Sequence, residues 1–200
     1  MKLLLATHNE HKRREFARLL ADAPGGERWT LQSLPGSVDL PPEDGETFAQ
    51  NALGKARAAA AGTGRPSIAD DSGIEAAALG GAPGVRSARY AGEGATDEQN
   101  LGKLLGEAPA GSALEYVCAI AYVDPAHGVE RVFEGRCAGR LSDDPRGQRG
   151  FGYDPAFLPD DGPDGLTMAE LSDEQKDAIS HRGRAARALI AWLTEAPAED

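Results

Sequence analysis

The sequence predicts a mixed α/β chain, folded as one compact domain or as two small lobes that share a core. Three observations carry that expectation. Short apolar runs of strand type alternate with stretches of helical spacing along the first half of the chain. Two β-rich segments, Ser112–Val123 and Val129–Leu141, flank the turn residues Asp124-Pro125-Ala126-His127-Gly128, as a long antiparallel hairpin would. Finally, 200 residues with 40% hydrophobic content are enough to bury a sizeable core.

In chain order, Lys2–Ala6 reads as a strand. His11–Leu20 reads as a helix, with Phe16, Leu19 and Leu20 on one side and Asn9 at the N-cap position. Trp29–Ser33 alternates weakly, as a second strand. Leu34–Gly45 is a loop rich in proline, glycine and acids, and Thr47 opens a long helix to about Ala61 that Gly62 is expected to close. Ser67–Ala69 is a short strand running into Asp70-Asp71-Ser72-Gly73, and Gly80–Gly84 is a glycine-rich turn. Thr96 and Gln99 are spaced as a capping box for a helix over Asp97–Leu105. After the hairpin, Ser142–Gly152 is a polar loop, and Ser172 caps a short helix with Gln175 three residues on. Arg184–Leu193 places Ala185, Ala188, Leu189, Trp192 and Leu193 on one apolar face. The tail Ala196–Asp200 is expected to fray. There is no internal repeat and no low-complexity linker, so two lobes would share a continuous sheet.

With 32 acidic against 21 basic side chains the formal charge is −11. That argues against duplex DNA as the main partner, because such binding relies on basic side chains neutralising phosphates. It leaves room for one small phosphorylated ligand held by a local basic pocket or a divalent metal. The opening apolar run stops at Thr7-His8-Asn9-Glu10, too soon for a secretory segment, and no stretch approaches the ~18 residues of a spanning helix. Cys118 and Cys137 are too few for a disulfide scaffold or a cysteine zinc cage, and read as buried thiols. The expectation is a cytoplasmic protein without a membrane or nucleic-acid partner.

Five segments carry groups with chemical potential. Thr7-His8-Asn9-Glu10-His11-Lys12 joins a strand end to a helix start, where backbone N–H groups and a first-turn lysine favour an anion. Taken alone, it reads as Asn9 capping and Lys12 as a solvated charge. Glu43-Asp44-Gly45-Glu46-Thr47-Phe48 precedes Asn51 and Lys55, which lie four apart and so share a helix face. A carboxylate there suits a hard cation and Lys55 a phosphate, although acids at a helix start are favoured by the macrodipole in any case. Asp70 and Asp71 are adjacent carboxylates after a buried strand, costly unless paired or metal-bound. Because strand side chains alternate, only one of them is expected to face a cleft. Asp71-Ser72-Gly73 also matches the aspartic-protease signature, a minor reading because Asp70 stands where that motif normally has an apolar residue. Gly150-Phe151-Gly152-Tyr153-Asp154-Pro155 sets glycines beside aromatics, which lets a flat base approach and stack, or simply lets the rings plug the core. Lys176 and Ser180-His181-Arg182-Gly183 read by default as a solvated linker. There is no Walker-type phosphate loop, no Gly-x-Ser-x-Gly elbow and no His-Glu-x-x-His.

Together and in this order, these segments resemble the inosine/xanthosine triphosphate pyrophosphatase family, from Leu3 to about Leu189. The most specific stretches are Ala69-Asp70-Asp71-Ser72-Gly73, Leu79-Gly80-Gly81-Ala82-Pro83-Gly84-Val85-Arg86-Ser87-Ala88-Arg89-Tyr90, Gly150-Phe151-Gly152-Tyr153-Asp154-Pro155 and Ile179-Ser180-His181-Arg182-Gly183. The resemblance implies an elongated mixed central sheet with flanking helices, and two lobes around a substrate cleft in one domain spanning residues 1–200. It also implies a homodimer and Mg2+-dependent hydrolysis of ITP, dITP and XTP to the monophosphate and pyrophosphate.

Residue by residue, it implies that Thr7, His8, Asn9, Glu10, His11 and Lys12 bind the triphosphate, with Lys55 and Lys176 as further phosphate contacts. Glu43 resembles a metal ligand. Asp71 resembles both a metal ligand and the catalytic carboxylate that activates water, and Ser72 a substrate contact. Phe151, Gly152, Tyr153 and Asp154, with His181 and Arg182, resemble the base pocket. Two departures stand out: Gln50 where a glutamate is common, and Ala76-Ala77-Ala78 in place of a Val-Asp-like stretch. The alternatives are a pyrophosphatase for other modified nucleotides and a non-catalytic nucleotide-binding protein.

Overall fold

Helices begin where the sequence puts their capping side chains. In the computed structural model, which describes residues 2–25 and 28–195, Asn9 accepts from the Lys12 N–H at the start of α1 (Glu10–Asp22). Thr47 accepts from the Gln50 N–H at the start of α2 (Phe48–Thr63). Thr96 with Gln99, and Ser172 with Gln175, form complete capping boxes on α3 (Asp97–Glu107) and α4 (Asp173–Ile179). Each cap satisfies N–H groups that no helical carbonyl reaches, an effect of ~1 kcal/mol. The last helix, α5, covers His181–Glu195.

The strands are β1 (Lys2–Leu5), β2 (Thr30–Ser33), β3 (Ser67–Ala76), β4 (Ala113–Asp124), β5 (Val129–Leu141) and β6 (Phe157–Pro159). They form one sheet in the order β2-β1-β3-β4-β5-β6. β1 runs parallel to β2 and β3, whereas β6 is antiparallel to β5, so the sheet is mixed. The architecture is therefore the expected mixed α/β one, and β4 and β5 are the expected hairpin.

The chain divides into two compact units. The first comprises Met1–Asp71, Cys118–Gly135 and Gly183–Asp200. Its core gathers Leu3, Leu5, Phe16, Leu19, Ile68, Ile120 and Leu189. The second comprises Ser72–Val117 and Arg136–Arg182, with Ile74, Leu104, Leu141, Phe157, Met168 and Leu171 at its centre. Each such side chain contributes ~1.5–3 kcal/mol on full burial. Among the described residues, no helix is long and apolar enough to cross a membrane.

Several expectations are corrected. α2 is closed by Gly64, whose φ of 65° is left-handed, and not by Gly62, which lies inside the helix against Val38. β3 does not stop at Ala69: it carries Asp70-Asp71-Ser72-Gly73 within the strand, because the two carboxylates find partners there. α5 starts at His181, so His181, Arg182 and Gly183 form its first turn. Its buried face includes Ala186 and Ile190, while Ala188 is exposed. The short β6 and the 3₁₀ turns Ala77–Leu79, Gly84–Arg89 and Asp154–Ala156 were not anticipated. The tail expected to fray lies outside the described residues.

Candidate active site

In the first unit, α2 sets the geometry. Asn51, Ala52, Lys55, Ala56, Ala59 and Ala60 form one buried stripe at helical spacing. The small alanines keep that face inside, and the two polar residues are carried in with it. Lys55, only 7% exposed, bonds the Glu43 carboxylate, donates to the Asp70 carbonyl at 2.6 Å and lies 3.9 Å from Asp71 Oδ1. Lys12 of α1 meets Asp70 Oδ2 at 3.1 Å. Asn51 Nδ2 donates to Asp71 Oδ2 at 2.8 Å. Adjacent carboxylates on β3 thus engage different partners, as alternation along a strand dictates.

The charges are mutually adjusted. Burial alone pushes the Lys55 ammonium down, but Asp70, Asp71 and Glu43 around it win, and its pKa is raised. Burial pushes Glu43 up, yet Lys55 beside it holds the carboxyl below its ordinary value. For Asp71 the balance is reversed: burial, helped by the Glu43 charge, outweighs Lys55, Lys12 and the Asn51 bond, so its carboxyl is raised. A carboxylate displaced upward within a cluster of lysines is the kind of perturbation that functional sites concentrate.

The Thr7–Lys12 segment caps its own helix. Thr7 Oγ1 accepts from the Asn9 N–H at 3.1 Å, and Asn9 accepts from Lys12 N–H. His8 and His11 are exposed. Glu10, also exposed, is held down to about 2 by its hydrogen bond from Arg13, with Arg14 adding to the effect. Lys12, expected as a solvated charge when read alone, is instead drawn onto buried Asp70.

The second unit builds a separate group around Asp154. Its Oδ2 accepts from Lys176 Nζ at 2.8 Å and from the Phe151 N–H at 2.9 Å, and its Oδ1 accepts from the Tyr116 hydroxyl at 3.1 Å. Gly150 makes this possible: a Cβ there would lie 2.0 Å from Asp154 Oδ2. Tyr116 stacks on His181, with ring centroids 4.5 Å apart and planes at 5°. Burial, reinforced by Asp154, raises the Tyr116 hydroxyl well above its ordinary pKa, so it remains a donor. Arg182, 1% exposed, donates to Ser72 Oγ at 2.7 Å. Phe151, half-buried, lies under both Lys176 and Arg182, whose charged ends are 5.2 and 5.7 Å from its ring centroid.

Its neighbour Tyr153 is a core residue, donating to the Ser87 carbonyl at 2.7 Å. The Gly152 N–H donates to Asp97. The segment read by default as a solvated linker is therefore buried, with Lys176, His181 and Arg182 all at 5% exposure or less.

Sequence reasoning missed Tyr116, which it saw only as one residue of a hairpin strand, and it gave Asn51 no role. Alternation along β4 would have marked Tyr116 as buried but not its partners. In the aspartic-protease reading a homodimer would supply the second aspartate; within the chain itself, Asp71 has Lys55 and Asn51 beside it.

Among the described residues, no three or more His, Cys, Asp or Glu side chains form a metal cage. Glu43 and Asp71, both facing Lys55, are two carboxylates of this site that could offer oxygen to a hard cation. Mg2+ is ordinarily held by one or two carboxylates plus substrate phosphates.

Over residues 3–192 the sequence matches the Ham1 family. A dITP/XTP pyrophosphatase of Geobacter sulfurreducens is 48% identical over 190 residues, covering 92% of each chain. Among solved structures, a HAM1 protein from Coxiella burnetii superposes with a TM-score of 0.83 at 38% identity, covering 98% of this chain and 100% of that one. The nucleoside-triphosphatase / dITP/XTP pyrophosphatase from Mycobacterium abscessus gives a TM-score of 0.72 at 42% identity, covering 96% of this chain and 99% of that one. The resemblance read from the motifs points the same way. Matched along nearly its whole length by sequence and by fold, the chain belongs to the Ham1 family.

Proposed function

We propose that the chain, as one domain of two lobes, hydrolyses the non-canonical purine nucleoside triphosphates ITP, dITP and XTP to the monophosphate and pyrophosphate. The observation that carries this reading is the group formed by half-buried Glu43 with buried Lys55 and Asp71, and by Lys12 on Asp70. It combines oxygen donors for a hard cation with ammonium groups for a polyanion. The names borne by the relatives from G. sulfurreducens and M. abscessus support the substrate class.

We assign Mg2+ to Glu43 and Asp71, where it would supply charge neutralisation at the phosphoryl oxygens. Thr7 to Lys12, Lys55 and Lys176 receive the triphosphate. Asp71, buried on β3, takes a proton from water as the water oxygen bonds to phosphorus. The α–β anhydride bond breaks and pyrophosphate leaves. A cytoplasmic homodimer, without membrane or nucleic-acid partner, belongs to the same proposal.

The test is product analysis. With Mg2+, purified protein should convert ITP to IMP and pyrophosphate, and chelation of the metal should stop the reaction. IDP and orthophosphate as primary products would overturn the assigned bond, and nucleotide affinity without release would favour a non-catalytic binder.

Base selectivity follows from donors. Inosine and xanthosine carry an oxygen at C6 that His181 and Arg182 can bond, whereas adenine would oppose them with an amino group. Each lost bond to a buried group costs ~1–3 kcal/mol. Stacking on Phe151 is common to all bases and is worth ~1–3 kcal/mol per base. Phe151→Ala should therefore weaken kcat/KM for ITP and for ATP by the same factor, roughly tenfold for each 1.4 kcal/mol lost. A change in the ITP-to-ATP ratio would show that Phe151 discriminates between bases.

A further inference from the structure

Asn51 has no part in the mechanism above, yet this 5% exposed amide is used at both ends. Its Oδ1 accepts from the Gly45 N–H at 2.7 Å, and its Nδ2 donates to Asp71 Oδ2 at 2.8 Å. An amide oxygen only accepts and an amide nitrogen only donates, so these two partners fix its orientation. One side chain thereby ties the loop that carries Glu43 to the strand that carries Asp71. The approach is tightest at Gly45, where a Cβ would lie 2.6 Å from Asn51 Oδ1 and 2.9 Å from Gln50 Cβ. The backbone reaches the amide because position 45 has no side chain.

We infer that Asn51 is a positioning residue: it holds Asp71 Oδ2 so that Oδ1, the oxygen nearest Lys55, is presented for reaction, and Gly45 is the seat that fixes Asn51. This rests on the reading of Asp71 as the reacting carboxylate. Terminal sp³–sp² torsions such as the aspartate χ2 have broad wells, so an unrestrained carboxylate swings. A hydrogen bond to one oxygen removes that freedom without touching the substrate. Misplacement of a reacting group by ~1 Å costs on the order of 10²-fold.

The experiment compares wild type, Asn51→Ala, Gly45→Ala, the double variant and Asp71→Asn. It reads kcat and KM for ITP, the dissociation constant of an α,β-methylene ITP analogue, and the melting temperature. Asn51→Ala should lose about 10- to 10²-fold in kcat with analogue binding unchanged. Gly45→Ala should lose kcat in the same way. In the double variant the Gly45 change should cost less than it does alone, because the amide oxygen it collides with is gone and only the 2.9 Å approach to Gln50 Cβ remains, a non-additivity expected of residues that share a contact.

Should Asn51→Ala fail to fold, Gly45→Ala carries the test, since it keeps the amide and displaces it. A folded Asn51→Ala protein with wild-type kcat, beside an inactive Asp71→Asn, overturns the positioning role alone. Parallel loss of kcat, analogue binding and melting temperature reduces Asn51 to a structural link and overturns it too. Full turnover in Asp71→Asn defeats the reading of Asp71, and the inference with it.

Discussion

Asp71→Asn should abolish turnover while leaving the protein folded. The carboxylate is 5% exposed, and burial with the Glu43 charge lifts its pKa despite Lys55 and Lys12. A general base loses its function when its proton-accepting oxygen becomes an amide, and ~10²–10⁴-fold in kcat is the usual scale. The fold has little reason to object. An amide oxygen still accepts from Asn51, and Lys55 keeps Glu43 and the Asp70 carbonyl. The sign of the pKa shift points the same way: a carboxyl raised in the folded state means that its ionised form costs stability above the folded pKa. At neutral pH the variant should therefore melt no lower than wild type. A folded Asp71→Asn protein with near-native pyrophosphate release would remove Asp71 from the mechanism. A protein that instead melts well below wild type would make the residue structural.

What was legible in the sequence was local. Asn9, Thr47, Thr96 and Ser172 cap their helices as read, because an N-cap and its target N–H lie within three residues. The shared face of Asn51 and Lys55 was equally readable from their spacing, but nothing nearby said that this face points inward. What was illegible depends on partners far along the chain. β3 runs through Asp70 and Asp71, residue types depleted in strands, because Lys12, Asn51 and Lys55 come to meet them. His181 and Arg182 read as a solvated linker until Tyr116 stacks on one and Ser72 accepts from the other. Asp154 was visible as a motif residue, yet its three hydrogen bonds join segments separated by as many as 38 positions. Buried polar groups demand partners, and a sequence states the demand without naming who meets it.

Lys55→Met should be strongly destabilising. Methionine fills nearly the same space, so cavity formation is minor and the loss is electrostatic. Removing the ammonium takes away the nearest cation of Glu43 and Asp71, leaving the weaker influence of Lys12 on both, and removes the donor to the Asp70 carbonyl. Removing one partner from a buried ion pair costs ~3–5 kcal/mol, a large share of the ~5–15 kcal/mol that holds a domain together. The pH dependence separates this cause from poor packing. In wild type, Glu43 lies below its ordinary 4.5, so its contribution is present above that value and fades as pH falls through the folded pKa. Asp71 lies above its ordinary 3.8, so folding gains as pH falls through its folded pKa. The two slopes oppose each other while Lys55 is present. Without Lys55 both carboxyls are pushed upward, the native state binds the extra protons, and both slopes take one sign. The deficit of Lys55→Met in urea unfolding should therefore shrink steadily from neutral pH down toward the ordinary carboxyl range. Adding Asp71→Asn should restore part of the loss at neutral pH by removing one buried charge that Lys55 no longer faces. A deficit that stays constant with pH, and that Asp71→Asn does not relieve, would mean that Lys55 acts by packing and that the charge balance drawn around it is wrong.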